Sequence, residues 1–151
     1  DGSHELDYMR WLLGEVTQVY CRAGVLSNLE VDAEDTASII LSFASGCIGE
    51  VHLDFVQRVR ARNCKIVGTD GTIVWDHVEG SLKKFAVNEP SWEEFELATD
   101  ANAKYVAEID AFLACAASGR PPIVDIHAGH RVLQIALGAL ESAATGRAID
   151  L

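Results

Sequence analysis

From Val16 to Leu97 the chain reads as a run of short alternating segments with nothing helical between them. No other feature narrows the possible folds as much. Val16 to Cys21 is rich in valine, threonine and tyrosine, the composition of a strand. Ala37, Ile39, Leu41 and Phe43 alternate with Thr36, Ser38, Ile40 and Ser42, and Val51, Leu53 and Phe55 alternate with Glu50, His52 and Asp54. That period of two marks half-buried strands with one apolar and one polar face. Ser45-Gly46 joins them as a hairpin turn. Cys64 to Gly68 returns through Asp70-Gly71, a type I′ hairpin signal, into Thr72 to Asp76. Ser81 to Val87 and Trp92 to Leu97 follow, separated by the turn residues Asn88, Glu89 and Pro90. A parallel pair needs a crossover of about a dozen residues or more, and every link after Thr36 is shorter. The sheet is therefore expected to be antiparallel.

Helices are expected on either side of this run. Asp1 to Gly14 reads as a helix, with Asp1 and Ser3 as N-cap candidates, acidic Glu5 and Asp7 in its first turn, and Gly14 as C-cap. Leu6, Met9 and Leu13 form its apolar stripe, and Tyr8, Trp11 and Leu12 cover much of the rest, the pattern of a helix buried between layers or domains. Asp100 is the cap expected for a helix ending at Ser118, where Gly119 and Pro121-Pro122 break it. The last helix starts within Asp125 to Gly129 and ends at Thr145-Gly146. This order predicts an α+β fold, a large, mostly antiparallel sheet with helices on one face, in a single domain over residues 1–151.

The formal net charge of −11 disfavours nucleic acid and anionic membranes as partners. Cys21, Cys47, Cys64 and Cys115 form no CxxC pair and suit small hydrophobes in a reducing cytoplasm. No signal peptide and no membrane-length apolar run is present. The chain opens inside a helix motif without an initiator methionine, as a piece of a longer protein would.

Few residues suggest chemistry. There is no GxGxxG, Walker A, HExxH or GxSxG sequence. His4, Asp7 and Trp11 share a helix face at i, i+3 and i+7. Free backbone N–H groups at the helix start disfavour an imidazolium, the setting of a general base, although a histidine there can equally be part of a core-helix cap. Arg58, Arg60 and Arg62 alternate, so they either grip an anionic group from one side of an extended segment or protect a sheet edge with charge. Glu50, His52 and Asp54 either line a cleft or form a solvated or subunit-facing surface. His127 and His130, one turn apart beside Asp125, have a metal-compatible spacing, but capping and surface roles are commoner, and no metal is expected.

His4-Glu5-Leu6-Asp7-Tyr8-Met9-Arg10-Trp11-Leu12-Leu13-Gly14 resembles the HxxDxxRWLxG segment that opens the C-terminal domain of the Gfo/Idh/MocA oxidoreductases. Val31 to Ala37, Phe43 to Gly46, Gly68 to Ile73, Gly119 to Pro122 and Ala139 to Arg147 extend the similarity in order. The resemblance implies an enzyme whose N-terminal Rossmann domain, outside this chain, binds NAD or NADP and supplies a lysine. It implies that this chain supplies the substrate wall and a homo-dimer or homo-tetramer interface through the sheet. His4 falls at the family's acid/base position, and Asp7 would orient it or pack the helix end. Many members carry an aspartate four residues before the histidine. Asp1, three before, stands nearest that supporting place. Gln57 to Arg62 resembles members of surface-sugar pathways, which implies Arg58, Arg60 and Arg62 as substrate-binding residues and a sugar-like, anionic or nucleotide-linked substrate. The chain alone is expected to be inactive. The alternatives are a non-catalytic binding or oligomerisation module of the same fold and, last, a small isomerase or hydrolase needing a second acid or base beside His4.

Overall fold

The computed structural model describes residues 2–97 and 102–151. The chain divides into two compact units, Asp1–Gln57 with Pro121–Leu151, and Arg58–Arg120. The first unit contains α1 (Ser3–Leu13), β1 (Val16–Gly24), β2 (Thr36–Phe43), β3 (Ile48–Asp54) and, in chain order after the second unit, the last helix and strand. The second contains β4 (Asn63–Gly68), β5 (Gly71–Asp76), β6 (Ser81–Ala86), β7 (Glu89–Glu96) and α2 (Ala103–Ser118). The elements that close the first unit are α3 (Ile126–Thr145) and β8 (Ile149–Asp150). The α+β, antiparallel architecture is the one expected, with the strands shared between two four-stranded sheets.

In the first unit the order is β3-β2-β1-β8, and every pairing is antiparallel. The alternation seen in the sequence decides which face is covered. Val19, Cys21, Ile39, Leu41, Phe43 and Val51 are buried together with Leu6 of α1 and Val132, Ile135 and Ala139 of α3. Val19 and Leu41 are wholly shielded from solvent, and burying a side chain of that size stabilises the fold by about 1.5–3 kcal/mol. The helix α3 begins where Asp125 accepts a hydrogen bond from Ala128 N–H at 2.9 Å, a side-chain N-cap. The strand β8 is only two residues long and pairs with Gln18 and Val19. At Cys21 the backbone N–H donates instead to buried Ser142 Oγ of α3 at 2.9 Å, and that hydroxyl donates to Arg147 O at 2.6 Å. One serine thereby ties helix, sheet and C-terminal turn.

Two local expectations are corrected here. The helix α1 is capped by Gly2, with no side-chain cap bond, and Ser3 is its first helical residue. Asp1 and Asp100 lie outside the described residues. The β4–β5 turn is Thr69-Asp70, one residue earlier than the Asp70-Gly71 signal, because Gly68 pairs with Gly71. Among the described residues no non-glycine has positive φ, so the turn is not type I′. Gly71 serves a different need, since an added Cβ would run into the Phe85 carbonyl oxygen of β6.

The second unit's order is β4-β5-β6-β7. Glu89 and Pro90, read from sequence as a turn, begin β7. That strand is at the sheet edge, where a missing N–H is tolerated, and the pairing slips between Phe85 and Ala86 beside it. The helix α2 ends as expected at Gly119, which is left-handed at φ 66°, but it buries none of its residues.

Candidate active-site helix and its cleft

The helix α1 is placed by one side of itself. Leu6 is buried, and Met9 and Leu13 pack against the same core. At the N-terminal end Gly2 has φ +86°, and a Cβ there would stand 2.5 Å from Leu53 Cδ1 of β3, so the helix start presses on the sheet through a glycine. At the other end Gly14 N–H closes onto Arg10 O at 2.9 Å. The Arg10 guanidinium grips Glu15 with two bonds, Nη2 to Oε1 at 2.7 Å and Nε to Oε2 at 3.2 Å, and Arg131 Nε of α3 reaches the same Oε2 at 3.2 Å. The hydrogen bond from Arg10 is the main reason that the Glu15 carboxyl is held below its ordinary range.

This anchoring leaves the opposite side of α1 open. His4 is exposed in the first turn, and Trp11 is 77% exposed two turns on. At about 100° per residue, His4, Asp7, Tyr8 and Trp11 fall within one side of the helix. Their side chains lean toward the N-terminus, so Asp7 and Tyr8 lie over the turn that carries His4. Beside them is a cleft of about 210 Å³, lined by Asp7, Tyr8, Arg10 and Trp11 from α1 and by Ile123, Val124 and Ala128 from the segment that enters α3. The side chains of His4 and Asp7 make no hydrogen bond or ion pair among the described residues. The helix thus presents an imidazole and a carboxylate on one stripe, with a mostly apolar cleft next to them.

The structure places the other sequence candidates elsewhere. Arg58, Arg60 and Arg62 belong to the second unit and lie in irregular chain with a bend at Arg58-Val59, so strand alternation does not put them on one side. Glu50, His52 and Asp54 lie on the uncovered face of the first sheet. There His52 Nδ1 is 3.0 Å from Ser38 Oγ, and its Nε2 is 3.3 Å from Asp54 Oδ2. Asp54 Oδ1 also accepts from the backbone N–H groups of Val56 and Gln57, which fixes the end of β3. Asp35 is a structural carboxylate. It is 1% exposed and accepts from Leu26 N–H, Ser27 N–H, Ser27 Oγ–H and Thr36 Oγ1–H. These bonds, the Ser27 hydroxyl foremost, lower it from 3.8 to about 2. Asp125 is lowered chiefly by the Ala128 N–H that it accepts. His127 and His130 are exposed, and among the described residues no three histidine, cysteine or acidic side chains gather closely enough to hold a metal ion.

The cleft walls at Ile123 and Val124 were not singled out from the sequence, although an apolar pair directly after Pro121-Pro122 was the available signal. No phosphate-cradling glycine loop between a strand and a helix occurs among the described residues. No described helix is long and apolar enough to cross a membrane.

A family model described as "Oxidoreductase family, C-terminal alpha/beta domain" matches residues 1–151. No match was found among curated proteins. Among solved structures, a levoglucosan dehydrogenase in complex with NADH and levoglucosan superposes with a TM-score of 0.90 at 20% identity, covering 99% of this chain and 48% of that one. A UDP-N-acetylglucosamine 3-dehydrogenase from Acidithiobacillus ferrooxidans gives 0.81 at 27% identity, covering 94% and 45%. An oxidoreductase from Agrobacterium radiobacter, in complex with NAD+, L-tartaric acid and magnesium, gives 0.83 at 23% identity, covering 99% and 47%. The chain therefore spans about half the length of the solved proteins it matches. With the family match running from the first residue to the last, the chain belongs to the Gfo/Idh/MocA oxidoreductases, as their C-terminal domain.

Proposed function

We propose that this chain is the substrate-side domain of an NAD(P)-dependent oxidoreductase acting on a sugar, sugar derivative or polyol by hydride transfer, with His4 as its acid/base. The observation that carries the reading is the placement of His4 within a full-length family match. Its imidazole is exposed, unpartnered among the described residues, and fixed on a helix whose next turn, at Leu6, is buried in the core. A base must reach a substrate proton without first breaking a bond of its own, and His4 meets that condition. A nicotinamide held by a domain outside this chain supplies the hydride acceptor or donor. The chain's own part is to take the substrate hydroxyl proton on His4, or return it, and to wall the substrate. Asp7, one turn on along the same helix, orients His4 or packs the helix end.

The substrate class rests on the relatives, which include a levoglucosan dehydrogenase and a UDP-N-acetylglucosamine 3-dehydrogenase. Arg58, Arg60 and Arg62 remain candidates for an anionic portion of such a substrate. The uncovered face of the first sheet, bearing Tyr20, Ile40, Glu50 and His52, is the candidate for self-association as a dimer or tetramer. The test is to incubate the full-length protein with NAD+ or NADP+ and a panel of sugars, polyols and nucleotide-linked sugars. Reduced nicotinamide formed in step with a carbonyl product is expected. A protein that neither binds nor reduces either cofactor would be a non-catalytic assembly module instead.

A further inference from the structure

We propose that Gly49 and Leu53 of β3 are positioning residues for His4. With Gly2 and Met9 of α1 they form two reciprocal contacts that fix where the helix lies along the strand. The inference rests on the oxidoreductase reading above and adds what holds its acid/base in place. All four residues belong to one compact unit.

At the start of α1 a glycine of the helix receives a side chain of the sheet. Gly2 is buried at φ +86°, and the Leu53 Cδ1 methyl stands 2.5 Å from where its Cβ would be. Two turns on the relation is reversed, and a glycine of the sheet receives a side chain of the helix. The end of Met9 rests over buried Gly49, in the space a Cβ would take, and Phe43 Cε2 closes the same space at 3.0 Å. Leu6 and Val51 lie between these positions in sequence, and both are buried in the core. Seven helical residues rise about 10 Å and four strand residues about 13 Å, so the two contacts match in spacing. The helix therefore runs along β3 in the opposite direction, held at both ends.

Two such contacts do what one cannot. A single apolar contact lets a helix slide or roll, whereas close-packed sockets facing opposite ways at its two ends block both motions. The strand that carries them is itself fixed. Leu53 pairs with Ala37, and Gly49 pairs with Leu41, which is wholly shielded from solvent. Just past Leu53, Phe55 N–H donates to Asp35 O at 2.9 Å, and Asp54 Oδ1 accepts from Val56 and Gln57 N–H. His4 lies two residues past Gly2, and its side chain has no bond of its own among the described residues. Its position is inherited from this seat, and a misplacement of about 1 Å can cost about 100-fold in rate.

The test uses the full-length protein. Gly49→Val fills the socket under Met9 and should lower kcat about tenfold or more, with substrate KM within about twofold of wild type. Adding Met9→Ala makes room again and should restore kcat to within about threefold of Met9→Ala alone. Leu53→Ala should lower kcat about fivefold, and Leu53→Met, which keeps the volume, should recover it. Ser142→Ala, which removes bonds to β1 and to the C-terminal turn, should leave kcat within about twofold. The His4 imidazole resonances, assigned by their loss in His4→Ala, should shift in Gly49→Val and Leu53→Ala and return when Met9→Ala is added to Gly49→Val. Unchanged kcat and unchanged His4 resonances in Gly49→Val, or in Leu53→Ala where Gly49→Val does not fold, overturn the proposal. An equal effect of Ser142→Ala, or no recovery with Met9→Ala, also overturns it. Turnover that survives His4→Ala overturns the role of His4 in the oxidoreductase reading, and the His4 resonances then decide the seat alone.

Discussion

Two helices with the same kind of sequence behave differently. Both α2 and α3 carry apolar residues at helical spacing and both end at a left-handed glycine. In α3, Val132, Ile135, Gly138, Ala139 and Ser142 are buried on the sheet of the first unit. In α2, Tyr105, Val106, Ile109, Phe112 and Leu113 are each more than half exposed. The lesson is that periodicity says a face exists, whereas small residues and a polar anchor say what it sits on. Gly138 and Ala139 let α3 approach β1 closely, and Ser142 bonds to its backbone. In α2 the Ser118 hydroxyl turns back to Ala114 O of its own helix.

Matched truncations sharpen this contrast most. Ile135→Ala, at a site 3% exposed, should cost about 2–5 kcal/mol in urea unfolding, while Ile109→Ala, at a site 57% exposed, should cost about 0.5 kcal/mol or less. Equal costs would mean that the α2 face is covered in solution. Next in size is Ser142→Ala, which leaves the buried Cys21 N–H and the Arg147 carbonyl without their partner. A loss of about 1–3 kcal/mol is expected, together with faster amide exchange at Cys21.

Acid sensitivity should also reside in the first unit. The Asp35 carboxyl sits at about 2 when folded against an ordinary 3.8, so the folded state holds fewer protons between those values. Its contribution is complete above the higher value and disappears as pH falls toward the lower one. An acid titration of stability should show this loss in the wild type, and Asp35→Asn should flatten it. The smallest effect is expected at Glu15. Its bonds to Arg10 and Arg131 lie at the surface, where such pairs contribute about 0–1 kcal/mol. Glu15→Gln should therefore shift stability by about 0.5 kcal/mol at most, and the shift should shrink in high salt.

Much of this molecule was legible because strands and caps are written locally. Thr36 to Phe43 and Glu50 to Asp54 alternate cleanly, and their faces divide between core and solvent as the period requires. Gly14, Gly119 and Gly146 mark helix ends, and Asp125 caps α3 through its side chain. What was not legible depends on distant chain. Ile149-Asp150 is too short to show a period, and it is a strand only because β1 offers an edge. Gly2 holds the cap position of α1 at φ +86°, with its backbone close against Leu53 of β3, a contact made with distant chain. The turn at Thr69-Asp70 moved because Gly71 is required for close approach to β6, which no local rule records. At the candidate site, His4, Asp7 and Trp11 were visible as one helical stripe, but the wall opposite them comes from Ile123 and Val124, over a hundred positions away.

The most direct test of the account is the turnover of His4→Ala in the full-length protein, measured beside its affinity for NAD(H) or NADP(H). The account predicts turnover reduced by about 100-fold or more, the scale of lost acid–base catalysis, with cofactor affinity unchanged. Turnover within a few-fold of wild type would contradict it and place the acid/base on another residue.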